Sequence, residues 1–334
     1  MSTAHNSMRR FFPWSLISMS NEDTKKEMIN PVKENLIYSA YYAPRGRRRL
    51  YVLAGELASR YLYPSDLLIG IIGAEGSGKS TLIKGLFPGM ELTNDDEGVN
   101  IRPTPLFDFS PEDFFSGHTF HIDIRYELAF RQKYEIIEAI NRAIEHNRRV
   151  VIEHFDLIYE ALGYNAQIII GIGEEVIVTR PTVFGPTPAA VQKVVAKTIR
   201  YRLMAHSAED ITSFILERDY GYRPPDLHSD VKHGFVIGFP EKPEIDVAEL
   251  EQKVLQMIQA DIPIQPVDEN HLRIGEETIY CTGVRTHVKS SGEITDFRLL
   301  RECKWDPIDR KYLLVGIVGR QEPAGFEEIA PTIG

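Results

Sequence analysis

The chain contains few cysteines, no long apolar run and no excess of positive charge. Cys281 and Cys303 are the only cysteines among 334 residues, which excludes a disulfide framework and fits a reducing cytoplasm. No stretch approaches the roughly 20 apolar residues of a membrane-spanning helix, so we expect a cytoplasmic protein without a membrane partner. The formal net charge of −10 argues against a surface built throughout for nucleic acid, although a local basic patch stays compatible with it.

The chain is long enough for two globular domains. Its composition is ordinary, with 43% hydrophobic and 26% charged residues. We expect residues 1–33 to form a mobile extension rather than a targeting segment, because Pro13 interrupts its apolar patch. A proline- and glycine-rich stretch at residues 179–188 then marks a boundary. It separates a predicted nucleotide-binding domain, residues 34–188, from a second domain, residues 189–334.

A glycine-rich motif follows the apolar run of residues 67–72. Residues 73–81 read Gly-Ala-Glu-Gly-Ser-Gly-Lys-Ser-Thr, which matches the Walker A phosphate-binding loop (P-loop), G-x-x-x-x-G-K-[ST]. In such a loop, backbone N–H groups converge on the phosphates of a nucleoside triphosphate and the lysine adds a positive charge. The motif therefore predicts that the chain binds a nucleoside triphosphate, ATP or GTP, with Mg²⁺. The residues expected to contact the nucleotide are Gly73, Glu75, Gly76, Ser77, Gly78, Lys79, Ser80 and Thr81.

Further strands alternate with helices after the motif. Residues 124–146 have the spacing of an amphipathic helix, and apolar runs typical of buried strands occur at residues 150–152, 166–172 and 175–178. This alternation predicts an α/β domain with a parallel sheet, whose ligands bind at the carboxyl ends of the strands.

An acidic residue ends one of these predicted strands. Glu153 follows the run at residues 150–152 directly. At this place P-loop enzymes hold Mg²⁺ or its water, so we expect Glu153 to serve Mg²⁺ together with the Ser80 hydroxyl. Asp156 is the second choice.

Two charged segments are assigned to the surface. The arginine-rich stretch at residues 45–49 could contact phosphates or RNA, but a charge run of this length is more often solvated. His228 and His233 lie in a polar segment and are expected at the surface rather than as metal ligands.

Four candidate metal ligands occur in the second half of the chain. His206 and Asp210 are four residues apart, which places them on one face of a helix predicted at residues 191–216. Cys281 and His287 follow on a hairpin-like segment. Zinc accepts imidazole, carboxylate and thiolate donors, so these four residues form a candidate Zn²⁺ site. The alternative is a pair of polar surface residues and a core cysteine.

From about residue 197 to residue 320, the second half resembles the second additional domain of alanyl- and threonyl-tRNA synthetases and of free-standing alanyl-tRNA editing proteins. That family has an H-x-x-x-H helix and a later C-x-x-x-H segment. The similarity extends to residues 235–239, 246–258 and 311–319, which match a strand, a helix and a closing strand of the family. It implies a smaller α+β domain with a zinc site.

Two departures from the family pattern concern the metal site. Asp210 stands where the family has its second histidine, and the interval from Cys281 to His287 is two residues longer than in the family. A carboxylate can replace an imidazole on zinc. Whether His287 reaches the metal, and whether the metal is structural or catalytic, stays open at this point.

The order of motifs in the first half resembles the uridine kinase and phosphoribulokinase group. Asp95 and Asp96 follow a short strand predicted from Met90, and Glu153 comes later. The resemblance implies that Asp95 or Asp96 is the general base that activates an acceptor hydroxyl. On this interpretation Arg180 closes over the transferred phosphoryl group.

Three functions are therefore open. The first is a small-molecule phosphotransferase (kinase) or ATPase with a metal-binding C-terminal domain, acting on a small-molecule acceptor or an amino acid. The second is an ATPase or editing protein directed at tRNA or an aminoacyl substrate. The third is a nucleotide-driven sensor that regulates the conformation of a partner protein.

Overall fold

The structure is a computed structural model that describes residues 33, 36–92, 104–110, 117–223, 226–228 and 231–320. From Leu36 onward the chain forms one compact unit. The predicted extension at residues 1–33 lies outside the described residues apart from Lys33, and so do Asp95 and Asp96.

The first part of the chain builds a six-stranded mixed sheet in the order β1-β6-β5-β2-β4-β3. Its strands are β1 Ser39–Tyr42, β2 Leu68–Gly73, β3 Thr119–Asp123, β4 Arg149–Glu153, β5 Ile168–Ile172 and β6 Glu175–Thr179. Strands β3, β4, β2 and β5 are parallel to one another, whereas β6 and β1 are antiparallel to their neighbours. The expected all-parallel sheet is therefore mixed, because the short turn between β5 and β6 joins them as a hairpin, which forces the next strand to reverse.

Helices cover both faces of this sheet. Helices α1 (Arg47–Tyr61) and α2 (Lys79–Leu86) pack on one face, with Leu57 and Ile83 in their shared core. Every residue of β2 is buried, as expected for a central strand between two helical layers.

The helix predicted at residues 124–146 is interrupted. A short helix α3 (Ile124–Glu127) is followed by α4 (Lys133–Glu145), which packs on the other face of the sheet. Gln132 and Glu135 form a capping box at the start of α4, which satisfies the first free N–H groups and begins a new helix. The break covers residues 128–132, Leu-Ala-Phe-Arg-Gln, which contain neither proline nor glycine, so the amphipathic pattern alone did not reveal it.

The longest helix, α6, joins two hydrophobic cores. It runs without interruption from Pro188 to Tyr220 and includes the helix predicted at residues 191–216. Val191 and Val195 near its start pack in the core of the mixed sheet, whereas Ile211 and Ile215 lie in a second core. The start of α6 therefore belongs to the first core, although the predicted boundary at residue 188 assigns it to the second domain.

The second core lies between α6, α7 and antiparallel sheets. One sheet has the order β12-β14-β8-β7 with β13 also paired to β14, and a smaller sheet has the order β11-β10-β9. The remaining elements are the short helix α5 Tyr159–Leu162, helix α7 Val247–Gln259, and strands β7 Asp226–His228, β8 Gly234–Phe239, β9 Ile264–Pro266, β10 His271–Ile274, β11 Glu277–Tyr280, β12 Arg298–Leu299, β13 Lys304–Asp306 and β14 Lys311–Ile317. Among the described helices, none combines the length and the apolar character that crossing a bilayer requires.

Candidate functional site

The glycine-rich loop leaves the carboxyl end of β2 and enters α2, which is the strand-to-helix position that the motif requires. Gly76 and Gly78 have φ angles of 71° and 92°, which glycine adopts without strain and which turn successive N–H groups toward one concavity. Lys79 folds back over the loop, and its Nζ donates a hydrogen bond to the Ala74 carbonyl oxygen at 3.0 Å. The loop therefore offers backbone donors and one ammonium group at the carboxyl edge of the sheet.

Two acids meet the loop at this edge. Asp123 ends β3 and Glu153 ends β4, and the parallel register pairs the two residues directly. Their carboxylate oxygens and a ring nitrogen of His154 lie within 4.8 Å of one another, and all three residues are buried. Asp123 was not among the predicted site residues, although residues 118–123 were recognised as a cluster with the alternating pattern of a strand.

Glu153 is held by two basic groups. Its Oε1 atom lies 3.0 Å from His121 Nε2, and its Oε2 atom lies 3.8 Å from Lys79 Nζ. Burial by itself raises the pKa of the Glu153 carboxyl, but the hydrogen bond and charge of His121 and the charge of Lys79 hold that pKa below its ordinary value. The side chain is therefore an ionised carboxylate next to the glycine-rich loop, where the sequence predicted an acid for Mg²⁺.

The ionisable residues that follow β4 differ from Glu153 in the direction of their pKa shifts or in their charge. His154 turns the chain with a φ of 56°, and burial together with the Lys79 charge lowers the pKa of its imidazole, so that the neutral ring is favoured. Burial raises the pKa of Asp156, the second choice for Mg²⁺, which makes Glu153 the better ligand for a cation.

Arg180 lies at the amino ends of the parallel strands, whereas the glycine-rich loop follows the carboxyl end of β2. Its guanidinium makes two hydrogen bonds to Asp66, at 2.8 and 2.7 Å, and both side chains are buried. Asp66 precedes β2, whereas the loop follows it. The prediction that Arg180 closes over a transferred phosphoryl group is wrong, because β6 runs antiparallel and delivers Arg180 to the amino ends of the parallel strands.

The four predicted zinc ligands come together. One ligand atom from each of His206, Asp210, Cys281 and His287 lies within 4.8 Å of the others. Cys281 Sγ is 3.6 Å from His206 Nε2 and 3.3 Å from His287 Nε2, and the latter is 3.5 Å from Asp210 Oδ2. A tetrahedral zinc ion with bonds of about 2.0–2.3 Å keeps its ligand atoms about 3.3–3.8 Å apart, so the measured spacings fit such a shell.

Hydrogen bonds outside the cluster orient both imidazoles. His206 Nδ1 lies 2.9 Å from the Thr286 carbonyl oxygen, which can only accept a hydrogen bond, so Nε2 keeps its lone pair for a metal. His287 Nδ1 lies 3.2 Å from Ser207 Oγ. The Oδ2 atom of Asp210 is buried, and among the described residues no side chain outside the cluster donates a hydrogen bond to it, which suits a cation ligand.

Burial sets the protonation of this cluster in the absence of a cation. It lowers the pKa of His206 well below its ordinary value, and it lowers that of His287 to about 3 with help from the Arg45 charge. It also raises the pKa of Asp210 to about 8 and that of the Cys281 thiol above its ordinary value. A divalent cation would reverse the effect on the thiol and the carboxyl by favouring their charged forms.

The surface positions predicted for His233 and Arg45 are wrong, because both residues are buried. His233 is 1% exposed, lies 3.4 Å from Glu174 and stacks on Tyr201, so it is not a surface residue. Arg45 is 7% exposed, and its guanidinium pairs with Glu209 at 2.8 Å rather than facing solvent. The side chain of His228 lies outside the described residues.

The candidate metal cluster and the glycine-rich loop are adjacent. Arg202 on α6 donates a hydrogen bond to the Ser77 carbonyl oxygen of the loop at 2.7 Å, and His206 follows one helical turn later. A Cβ atom placed on Gly76 would lie 3.0 Å from the Arg285 carbonyl oxygen, so the segment between Cys281 and His287 packs against the loop.

Comparison with models of known protein families finds no match for this chain, and a search of curated proteins finds none either.

Proposed function

We propose that this chain is an ATP-binding P-loop protein that transfers the terminal phosphoryl group of ATP to a hydroxyl of a small molecule, and that its C-terminal part holds a zinc ion. One observation carries the proposal: Lys79, Glu153 and Asp123 meet at the carboxyl ends of three neighbouring parallel strands. Ligands of open α/β sheets bind at this edge.

The side chains have separable tasks on this proposal. Lys79 neutralises charge on the β- and γ-phosphates, and the Ser80 hydroxyl with the ionised Glu153 would hold Mg²⁺, which supplies further charge neutralisation. The acceptor oxygen forms a bond to the γ-phosphorus, the bond to the bridging oxygen breaks, and ADP leaves with the electron pair. Asp123 takes the proton from the acceptor hydroxyl.

Asp123 replaces Asp95 and Asp96 as our first choice of general base. The described residues Met90 to Leu92 are not in a strand, and the rest of the segment predicted to contain one, to residue 102, lies outside the described residues. The strand that precedes β4 in the chain and pairs with it is β3, which ends at Asp123. The resemblance to the uridine kinase group then assigns the base role to Asp123, while Asp95 and Asp96 stay as predictions.

The test is ADP release from MgATP by the purified protein, with and without a fraction of small metabolites. Lys79→Ala is the control for the nucleotide site and should lose release altogether. Asp123→Asn should reduce acceptor-dependent transfer by about 10² or more while MgATP affinity changes little, because a base acts in the transition state. Full transfer by Asp123→Asn together with loss in Asp95→Asn or Asp96→Asn would move the base to that residue, and no MgATP binding by the native chain would refute the proposal.

A second candidate function is hydrolysis of an aminoacyl ester, as the resemblance to editing domains suggests. It is supported by a cavity of about 450 Å³ that is lined by Asp210 of the cluster and by Arg218 and Arg223. Four protein ligands, however, complete a tetrahedral shell and leave no position for a reacting water, which is typical of structural zinc. Ester release from a total aminoacyl-tRNA fraction that disappears in Cys281→Ala would favour this candidate over the kinase.

A further inference from the structure

A cavity of about 630 Å³ extends from the phosphate-binding loop toward the C-terminal part of the chain. One wall is the start of α1, with Arg47, Arg48 and Tyr51, and another is the loop and the first turns of α2. The third wall comes from the C-terminal part, through residues 266–269 and 283–286. The volume lies within the range of about 300–1,000 Å³ that is typical of small-molecule sites.

The position of the cavity differs from that of the proposed chemistry. From Ser80, the proposed Mg²⁺ ligand, the cavity continues along α2 past Thr81 and Lys84, whereas neither Asp123 nor Glu153 lines it. A triphosphate held by the loop has its γ-phosphate at one end and its nucleoside at the other. The γ-phosphate belongs near the acids, so the nucleoside leaves the loop on the side of the cavity.

The walls are fixed to one another by direct contacts. Arg47 donates from its backbone N–H to the Thr282 carbonyl oxygen at 3.0 Å and from its guanidinium to the Glu269 carbonyl oxygen at 2.8 Å. A Cβ atom on Gly283 would lie 2.2 Å from the Arg45 carbonyl oxygen, so only glycine permits this approach. The segment between the metal ligands Cys281 and His287 is therefore held as one wall of the cavity.

The lining suits a nucleoside. Arg47, Arg48, Lys84 and Arg285 bring positive charge to its surroundings, and the carboxylates of Asp268 and Glu269 can accept hydrogen bonds from ribose hydroxyls or from amino groups of a base. The Tyr51 ring is 42% exposed and offers a face for base stacking.

We propose that the nucleoside part of a bound nucleoside triphosphate occupies this cavity, stacked on Tyr51 and covered by residues 266–269 and 283–286. The inference rests on the proposed nucleotide binding by the loop, and it makes the C-terminal part a direct reader of the nucleotide. Selection of a nucleoside triphosphate over other polyphosphates then depends on both halves of the chain.

The test compares a nucleotide with its phosphate chain alone. Binding of MgATP, MgGTP and magnesium tripolyphosphate is measured by calorimetry for the native chain, for Tyr51→Ala and for the matched control Tyr51→Phe. Alanine is well tolerated in a helix, so Tyr51→Ala is expected to fold. It should weaken binding of the preferred nucleotide by roughly fivefold or more and leave tripolyphosphate within about twofold, whereas Tyr51→Phe keeps both.

A second variant tests the opposite wall. Val267→Trp, at a half-exposed position of the third wall, should fill the cavity and weaken the nucleotide but not tripolyphosphate, and Ile308→Trp is the exposed control outside the cavity. Unchanged nucleotide binding in Tyr51→Ala and Val267→Trp would overturn the inference, as would an equal loss for nucleotide and tripolyphosphate. A native chain that binds tripolyphosphate but neither nucleotide also overturns it, whereas one that binds none of the three probes refutes the proposed function of the loop.

Discussion

Replacing Cys281 by alanine is expected to abolish zinc binding and the stability that zinc confers. The Cys281 thiol lies 3.3 and 3.6 Å from the two imidazole nitrogens of the cluster, so its loss removes one ligand and opens the shell. Zinc at 100 times its dissociation constant stabilises a folded protein by about 2.7 kcal/mol, and at 1,000 times by about 4.1 kcal/mol. Removing the buried sulfur costs about 1 kcal/mol of packing without any metal. The free energy of unfolding of the native chain should thus exceed that of Cys281→Ala by about 4–5 kcal/mol with abundant zinc and by about 1 kcal/mol with a chelator.

The assay is urea unfolding of both proteins with zinc and with chelator, together with the metal content of each purified chain. Cys303→Ala is the matched control, because Cys303 is half-buried and does not belong to the cluster. It should keep one zinc per chain and the full zinc-dependent stability. A native chain whose unfolding is indifferent to zinc, or a Cys281→Ala protein that retains a full equivalent of metal, would show that the cluster is not a zinc site.

The remaining predictions concern the sheet and its two edges. Glu153→Gln should lower phosphoryl transfer by about 10² or more, since the neutral amide no longer offers charge for Mg²⁺, and ADP release at normal rates would contradict its role. Arg180→Met should cost about 3–5 kcal/mol in urea unfolding because it leaves Asp66 buried without its ion pair, yet MgATP affinity measured on the folded variant should be unchanged. Burial and the Glu175 charge raise the pKa of Glu174 to about 8, so the folded chain binds more protons than the unfolded chain above the ordinary carboxyl pKa, and stability should fall by about 2 kcal/mol between pH 6 and pH 8. Glu174→Gln should make the loss of stability between the two pH values about 2 kcal/mol smaller in urea titrations, while other buried acids such as Asp210 still contribute, and an identical loss in both proteins would contradict the assignment.

The parts of the fold that were predicted correctly depend on short-range pattern. Residues 166–172 and 175–178 are apolar runs, and they contain β5 and β6. The composition of β6 does not reveal its direction, because a run of apolar residues looks the same in a parallel strand and in an antiparallel strand. β6 runs antiparallel to β5 because only a short turn connects them. Arg180, which follows β6, therefore lies at the amino ends of the parallel strands.

In the candidate metal site, too, one part follows from local spacing in the sequence and the other part from tertiary packing. The spacing of His206 and Asp210 determines that they share a helix face, because an α-helix repeats every 3.6 residues. No such rule applies to the interval between Cys281 and His287, and its two extra residues relative to the family pattern left open whether His287 reaches the site. The intervening segment packs against α6, where Thr286 receives the His206 hydrogen bond, and this packing brings His287 to Cys281.

Three local features of this protein follow from the sequence alone: a glycine-rich loop between a strand and a helix, a helix face shared by His206 and Asp210, and an acid at the end of a buried strand. The tertiary structure alone decided which distant pieces meet. Asp123 lies beside Glu153 because β3 and β4 are neighbouring strands in the same register. The segment between Cys281 and His287 forms a wall of the cavity at the glycine-rich loop because α6 contributes to both cores. Local geometry follows from bonded spacing, whereas distances between separated segments follow from strand order and helix packing, which no short stretch of sequence contains.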